Sequence, residues 1–419
     1  MENLAIVSIM VLLFSIVIGF ISRINVGVLT IGLSLIICKI YGISEKELIS
    51  GFSSSLFITM VGVSYLFSLL SNNNTLENLS MKIVSVFGNK KQVLPILIFL
   101  LGAFICAIGP GAIPSLAIMP IIAVPIAVSA GYNPVMFAII AQCGVMGARM
   151  SSLTPEAQVV MEIMNKQGLT TDMMPIFLCH IITGALISVS AFFYYKGWKV
   201  EKVENGEVKK INFTKNQIIS IIALLIMIIS VVKFKINVGL SSFLIGSILS
   251  VFHISEEKKS IKSIPWNVIL LVLGVGILMN IVKLSGGIDL MADVMSKIMT
   301  DSTASPIMAL SASIMSFFSS GLGVVFPTLM PTAVPIVTKF TTVYAKELIA
   351  MVSIGGTFTG ISPISTTGAL ILSAVKSDSK VGNKIRPNVL FTQLILWAFY
   401  TIILELVLSY FGIYKIFVK

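Results

Sequence analysis

Long uncharged apolar stretches alternate with short polar connections along the whole chain; Leu4 to Ile21 and Ile218 to Val232, for example, carry no charged residue. A helix that crosses a bilayer needs about 20 apolar residues, whereas shorter apolar pieces interrupted by Gly and Pro mark hairpins or discontinuous helices. Both kinds occur. The first half predicts full spans at 4–21, 26–41 and 53–71, then an amphipathic arm at 75–88. Two helical pieces, 93–108 and 115–129, meet at Gly109-Pro110-Gly111-Ala112-Ile113-Pro114. That cluster cannot continue a helix and predicts the tip of a re-entrant hairpin. Residues 134–146 and 156–165, separated by Gly147 to Pro155, predict one discontinuous helix, and a span at 174–195 closes the half.

A charged linker, 196–215, leads into a second half with the same plan. Its spans fall at 217–233, 237–252 and 266–283, its arm at 286–300, and its hairpin at 304–339 with a tip at Gly321-Leu322-Gly323-Val324-Val325-Phe326-Pro327. A broken helix follows, 345–354 and 365–376 around Gly355 to Ile364, and then a last span at 389–412. Residue identities repeat as well. Arg23-Ile24-Asn25-Val26-Gly27 returns as Lys235-Ile236-Asn237-Val238-Gly239, an offset of 212, and the same offset carries Gly62-Val63 onto Gly274-Val275 and Gly109-x-Gly111 onto Gly321-x-Gly323. Duplicated halves are how many secondary transporters are built. The sequence therefore divides into a first repeat, 1–195, the linker, and a second repeat, 216–419. Counting the broken helix once and the hairpin not at all, each repeat crosses five times. An odd number makes the repeats inverted: the expected fold is an all-α polytopic membrane protein of two inverted five-span repeats with two re-entrant hairpins and two discontinuous helices.

Composition agrees with a bilayer protein, with 56% apolar and 11% charged residues. The formal charge of +11 does not imply nucleic acid, because the Lys and Arg residues sit in short loops between spans. With both termini outside the cell membrane, the inner loops hold 17 Lys and Arg and the outer ones 11, with Arg149 left within the membrane. The first apolar run lacks a small-residue cleavage site and has a counterpart in the second half, so it reads as a retained helix. Cys38, Cys106, Cys143 and Cys179 all fall in apolar segments, where a thiol acts as a small hydrophobe.

Non-helical backbone at membrane depth survives only where protein or a water-filled cavity surrounds it, since an unsatisfied N–H or C=O in lipid costs several kcal/mol. Inverted repeats would bring the two tips and the two helix breaks together, where free helix N-termini attract an anion and freed carbonyls suit a cation. The expected site therefore draws on Gly109, Gly111 and Ala112 at the first tip and Gly321 and Gly323 at the second. From the breaks come Ser151, Ser152 and Thr154, and Thr357, Ser362, Ser365, Thr366 and Thr367. The hydroxyls either cap helix starts or bind ligand, and the pairing of Thr154-Pro155 with Ser362-Pro363 favours the second role. Arg149 is an intramembrane guanidinium that grips carboxylate bidentately or else pairs with Glu156. His180 and Glu405 are further ionisable groups within apparent spans, each either a proton relay or a bystander, with Glu405 close enough to the last apolar stretch to snorkel.

Enzyme motifs (HExxH, GxxxxGK[ST], CxxC) are absent from the chain, and paired breaks suit an occluded site better than a continuous channel. The chain carries Ile24 to Gly27, Gly51-Phe52, Leu56-Phe57, Val61-Gly62-Val63-Ser64-Tyr65-Leu66-Phe67 and Asn72-Asn73 in its first half, and Ser362-Pro363-Ile364-Ser365-Thr366-Thr367-Gly368-Ala369-Leu370 in its second. In these residues it resembles the MatC-type malonate and dicarboxylate carriers of the ion transporter superfamily. More distantly it is similar to the divalent-anion:sodium symporters, although neither tip contains their Ser-Asn-Thr triplet, so backbone carbonyls stand as the replacement ligands for sodium. The resemblance implies an elevator carrier working as a homodimer, with hairpins and broken helices in a moving transport domain and the arms joining it to a scaffold. The expected function is secondary transport of small organic anions, di- or monocarboxylates, across the inner membrane, coupled to sodium or protons. An inorganic-anion carrier or a cation/proton antiporter on the same fold is the alternative reading.

Overall fold

The computed structural model describes every residue except 1, 23, 80–81, 83–90, 200–211, 319, 379–384 and 419. Most of the arm expected at 75–88 and most of the 196–215 linker lie outside the described residues, as does Arg23. All regular structure among the described residues is helical. The first half runs α1 (Glu2–Ser22), α2 (Val26–Tyr41), α3 (Glu45–Ser50), α4 (Ser54–Asn72), α5 (Leu94–Ala107), α6 (Ala112–Ala130), α7 (Pro134–Ala148), α8 (Pro155–Lys166) and α9 (Met174–Tyr194). The second half follows in the same order: α10 (Lys215–Val232), α11 (Val238–Val251), α12 (Glu257–Lys262), α13 (Trp266–Leu284), α14 (Gly287–Ser296), α15 (Ala304–Phe318), α16 (Phe326–Leu329), α17 (Ala333–Val337), α18 (Ala345–Phe358), α19 (Thr366–Ser377) and α20 (Pro387–Tyr410), with a short α21 (Lys415–Val418) at the end. Six helices among the described residues are long and apolar enough to cross a membrane.

The repeated five-residue motif does two jobs. Asn25 caps α2, its side chain accepting from the Gly27 and Val28 N–H groups, and Asn237 caps α11 in the same way through Gly239 and Leu240. The glycine that follows each cap is a close-contact position. A Cβ on Gly274 of α13 would lie 2.1 Å from the Gly27 carbonyl oxygen of α2, and one on Gly62 of α4 would lie 2.3 Å from that of Gly239 in α11. Gly27 and Gly239 are equivalent by sequence, as are Gly62 and Gly274, so each half lends its second helix to the fourth helix of the other. That reciprocity is a two-fold relation between the halves.

The sequence pattern misses several features. Two short surface helices, α3 and α12, are too brief to show a period; α3 is set by a capping box between Ser44 and Glu47. The first tip is shorter than expected, because α6 begins at Ala112 with Pro114 in its first turn, where a missing N–H costs nothing, and it continues through Pro120 and Pro125. At 19 residues it is long enough to span, whereas its partner α5 has 14 residues, about 21 Å at 1.5 Å per residue. The second tip is likewise helical: Gly321–Val325 forms a wide π-type turn that runs on through α16 and a 3-10 turn into α17. Gly355 and Gly356 do not break α18, which extends to Phe358. They are packing glycines instead, since a Cβ on Gly355 would lie 2.5 Å from the Ala309 carbonyl oxygen of α15.

Candidate functional site

Four interruptions of the helical backbone bound one cavity of about 380 Å³. The first tip contributes Ala112, Ile113 and Leu116, the first break Arg149, the second tip Ser316, Phe317, Ser320, Gly321 and Leu322, and the second break Gly356, Thr357, Gly360 and Ile364 to Thr367. Val268 of α13 completes the wall. Arg149 is its one charged side chain.

Each break is held by the same hydrogen bonds. Thr154 donates from its hydroxyl to the carbonyls of Arg149 (2.7 Å) and Ser151 (2.8 Å); Ser365 donates to those of Gly360 and Ser362 (the latter 2.9 Å). This match sets the register of the two breaks. It pairs Thr154 with Ser365 rather than with Ser362, because the hydroxyl's helix-start position, not the neighbouring proline, fixes the geometry. In that register Arg149 corresponds to Gly360 and Glu156 to Thr367.

The register also reveals an asymmetry. In the first half the two helix starts at the tip and the break are closed by side chains of the protein. Thr154 accepts the Ala157 N–H and so caps α8 (3.2 Å), while Glu156 Oε1 accepts the Ala112 N–H at the start of α6 (2.8 Å). Gly111 makes the second contact possible: it has φ +76, and a Cβ there would lie 2.3 Å from Glu156 Oε2. In the second half, Ser365 spends its hydroxyl on carbonyls and gives α19 no side-chain cap. The first-turn N–H groups of α19, which have no intrahelical acceptor, start at a wall of the cavity.

Arg149 joins the halves. Its Nη1 donates to Thr357 Oγ1 at 3.2 Å, its guanidinium lies over the Phe326 ring at 5.6 Å, and its Nε is 3.8 Å from Glu156 Oε1. The ion pair is long and incomplete: Arg149 Nε and Glu156 Oε2 are buried and make no hydrogen bond. Arg149 is thus paired with Glu156 and at the same time a cation on the cavity wall.

Of the residues expected at the site, Ala112, Arg149, Gly321, Thr357, Ser365, Thr366 and Thr367 line the cavity. Seven do not. Gly109 takes φ +136 beneath the Phe67 ring, Gly111 supports Glu156, and Ser151 donates to the Ala107 carbonyl (2.8 Å), tying tip to break. Thr154 and Ser362 are buried in turn geometry, Ser152 is exposed, and Gly323 donates its N–H to Ser320 Oγ while packing on Leu271. Ser316 and Ser320 line the cavity as well, outside the residues expected from the sequence. Their signal was legible: Ser305, Ser313, Ser316 and Ser320 fall at helical spacing along α15 and its continuation.

His180 is buried between Met146 O (3.2 Å to Nδ1) and Ser353 Oγ (2.8 Å to Nε2), contacts that a neutral ring satisfies by donating from Nδ1 and accepting at Nε2. Glu405 does not snorkel, because it is completely buried beside Ser313. A separate groove of about 440 Å³ near the paired Asp293 and Lys339 lies on α14 and the end of the second hairpin, away from the breaks.

A family model described as dicarboxylate carrier protein MatC N-terminus matches residues 1–149 and 214–360. The chain belongs to this family. The two matched segments, one in each half, are spaced almost as the 212-residue sequence repeat is. No curated protein matches the chain. Among solved structures, the fold is similar to the YdaH transporter of Alcanivorax borkumensis, with a TM-score of 0.57 at 11% identity over 91% of this chain and 88% of that one. It is also similar to MtrF of Neisseria gonorrhoeae, described within a class of antimetabolite efflux pumps, with a TM-score of 0.57 at 15% identity over 89% of this chain and 83% of that one. These identities carry the fold alone. Family and fold together make the protein a multi-pass membrane transporter.

Proposed function

We propose that this protein is a secondary carrier of small organic anions, mono- or dicarboxylates, in the inner membrane. The observation that carries the reading is the pairing, inside one cavity, of a guanidinium with an uncapped helix start. Arg149 offers charge-assisted donors and α19 offers first-turn N–H groups with the Thr366 and Thr367 hydroxyls. A cavity of this volume suits a small ligand, at the lower end of the usual 300–1,000 Å³ range.

In this reading the halves are inverted repeats whose tips re-enter the membrane, both termini lie outside, and two copies form a dimer. The reciprocal α2–α13 and α4–α11 pairs form the scaffold, and the hairpins, broken helices, α9 and α20 form a transport domain that slides against it. Support comes from the cavity's position, since Val268 of α13 closes a wall otherwise made of tips and breaks. Sodium or protons supply the driving gradient. Thermal unfolding of the purified protein with malonate, succinate, lactate, sulfate and phosphate, with and without sodium, tests the reading, because a ligand at about 100 times its Kd stabilises by about 2.7 kcal/mol. Carboxylates raise the midpoint; stabilisation by the inorganic anions alone would refute the assignment.

A further inference from the structure

Among the described residues three acidic side chains are completely or almost completely buried, and their partners differ. Glu156 has the Arg149 guanidinium and the Ala112 N–H at a helix start. Glu347 lies in the first turn of α18 and accepts the Ser305 hydroxyl at 2.5 Å. Glu405 lies toward the C-terminal end of α20, with one Ser313 hydroxyl at 3.2 Å on Oε2 and nothing on Oε1. It takes part in no ion pair among the described residues, and the titratable group facing it is the Tyr414 phenol, itself bonded to Thr183 at 2.8 Å.

An ionised carboxylate held this way loses its hydration without a cation or a second donor to replace it, a penalty of several kcal/mol. Its position connects it to the cavity. Ser313 sits one helical turn before Ser316, which lines the cavity and donates to the Gly356 carbonyl at 3.1 Å. A Cβ on Gly355 would lie 2.8 Å from Ser313 Oγ, so the same stretch of α15 touches both Glu405 and the packing glycines of α18 just before the second break.

We propose that Glu405 is a proton-binding site that couples transport to the proton gradient. This rests on the carboxylate-carrier reading and selects protons from its two candidate ions. One proton from the aqueous phase adds to the Glu405 carboxylate on the loading side and leaves it, unchanged, on the other, so each transported anion is accompanied by one proton. Glu405→Gln keeps the shape of the neutral acid and removes the proton exchange.

The test uses the full-length protein in proteoliposomes with the membrane potential clamped, radiolabelled malonate and succinate as probes, and a one-unit inward proton gradient at pH values where both probes are fully ionised. One coupled proton gives up to ~tenfold accumulation per pH unit in the wild type. E405Q is expected to equilibrate without accumulating while it still exchanges external for internal probe. Infrared titration supplies a substrate-free readout, a protonated-carboxyl stretch present in the wild type and missing from E405Q. Ser313→Ala retains the acid but deletes its hydrogen bond, and is expected to move the pH at which that stretch titrates, which keeps the test decisive if E405Q folds poorly. Accumulation by E405Q equal to wild type, absence of gradient-driven accumulation in the wild type, or an unchanged carboxyl stretch overturns the proposal. Failure of the wild type to exchange either probe counts against the carboxylate reading instead, and the infrared stretch still decides where the proton sits.

Discussion

Replacing Arg149 and Glu156 singly and together separates the two roles of the arginine. In Arg149→Gln, Glu156 keeps a side chain 2% exposed and one hydrogen bond to the Ala112 N–H, with no cation nearby. Removing one partner of a buried pair costs about 3–5 kcal/mol. The 3.8 Å separation and the 12% exposure of the arginine put the expected loss at the lower end, about 3 kcal/mol. Glu156→Gln on top of Arg149→Gln removes the stranded charge, so the double variant should recover to within about 1 kcal/mol of wild type, as neutral replacements of buried pairs do. Ligand affinity should not recover. A charge-assisted hydrogen bond contributes about 1.5–3 kcal/mol, so both variants lacking Arg149 should bind carboxylate roughly 10- to 150-fold more weakly. Thermal unfolding gives the first quantity as a double-mutant cycle and calorimetric titration gives the second. A double variant that binds carboxylate as wild type does would reduce Arg149 to a structural staple and remove the main support for the proposed site.

Two glycines on α13 form an internal control. Gly274→Ala places a Cβ 2.1 Å from the Gly27 carbonyl and should lower the unfolding midpoint by forcing α2 and α13 apart, whereas Gly276→Ala meets nothing closer than 3.9 Å and should be neutral or gain up to about 1 kcal/mol of helix propensity. Gly111→Ala combines a positive-φ extended backbone that essentially only glycine adopts, costing about 1–3 kcal/mol for another residue, with a clash on Glu156, and should cut carboxylate uptake as well as stability; unchanged uptake would show that the Glu156 cap is dispensable. Outside the membrane, the Thr342 and Thr341 backbone and hydroxyl donors hold the Asp301 carboxyl below its ordinary value. Its contribution is therefore present above the unfolded-state value and lost as pH falls through the lowered folded-state one, so Asp301→Asn should flatten the acid limb of stability measured between neutral pH and pH ~3.

The spans were legible because hydropathy reports burial in lipid or protein without needing tertiary detail, and the repeat was legible because close-contact glycines and Asn caps allow few substitutes. The sites of interruption were legible only in part. Gly and Pro clusters mark places where an isolated helix would be weak, yet Pro114 fits a first turn and Gly355-Gly356 fit a helix packed tightly on α15. At both places packing outweighed propensity. The cavity wall was harder still. Thr154 and Ser362 look like ligands in sequence, but a hydroxyl at a helix start or in a tight turn is claimed first by its own backbone, and only the hydrogen-bond register shows which start keeps its N–H groups open. Ser316 and Ser320 precede the Gly321–Gly323 pair that marks the tip in sequence, and isolated serines in an apolar helix carry no break signal of their own.

The two halves share a frame and differ where it would bind. At matched positions the first half places Arg149 and Glu156, and the second Gly360 and Thr367. Had both breaks carried the ion pair, each half would supply its own carboxylate to its own helix start, and an external anion would compete with two internal ones. Had both carried Gly and Thr, the cavity would hold an uncapped helix start on each side but no full positive charge. The observed combination closes one start with Glu156, leaves the other open at α19, and keeps a single guanidinium within reach of Thr357 across the cavity. Of the matched starts of α8 and α19, the first is capped by Thr154 and the second has no side-chain cap, and under the proposed function the open one receives the ligand. Thr367 lines the cavity beside that open start, so Thr367→Glu should place a competing carboxylate there and abolish carboxylate binding while the fold survives, whereas binding that persists in this variant would place the anion elsewhere in the cavity.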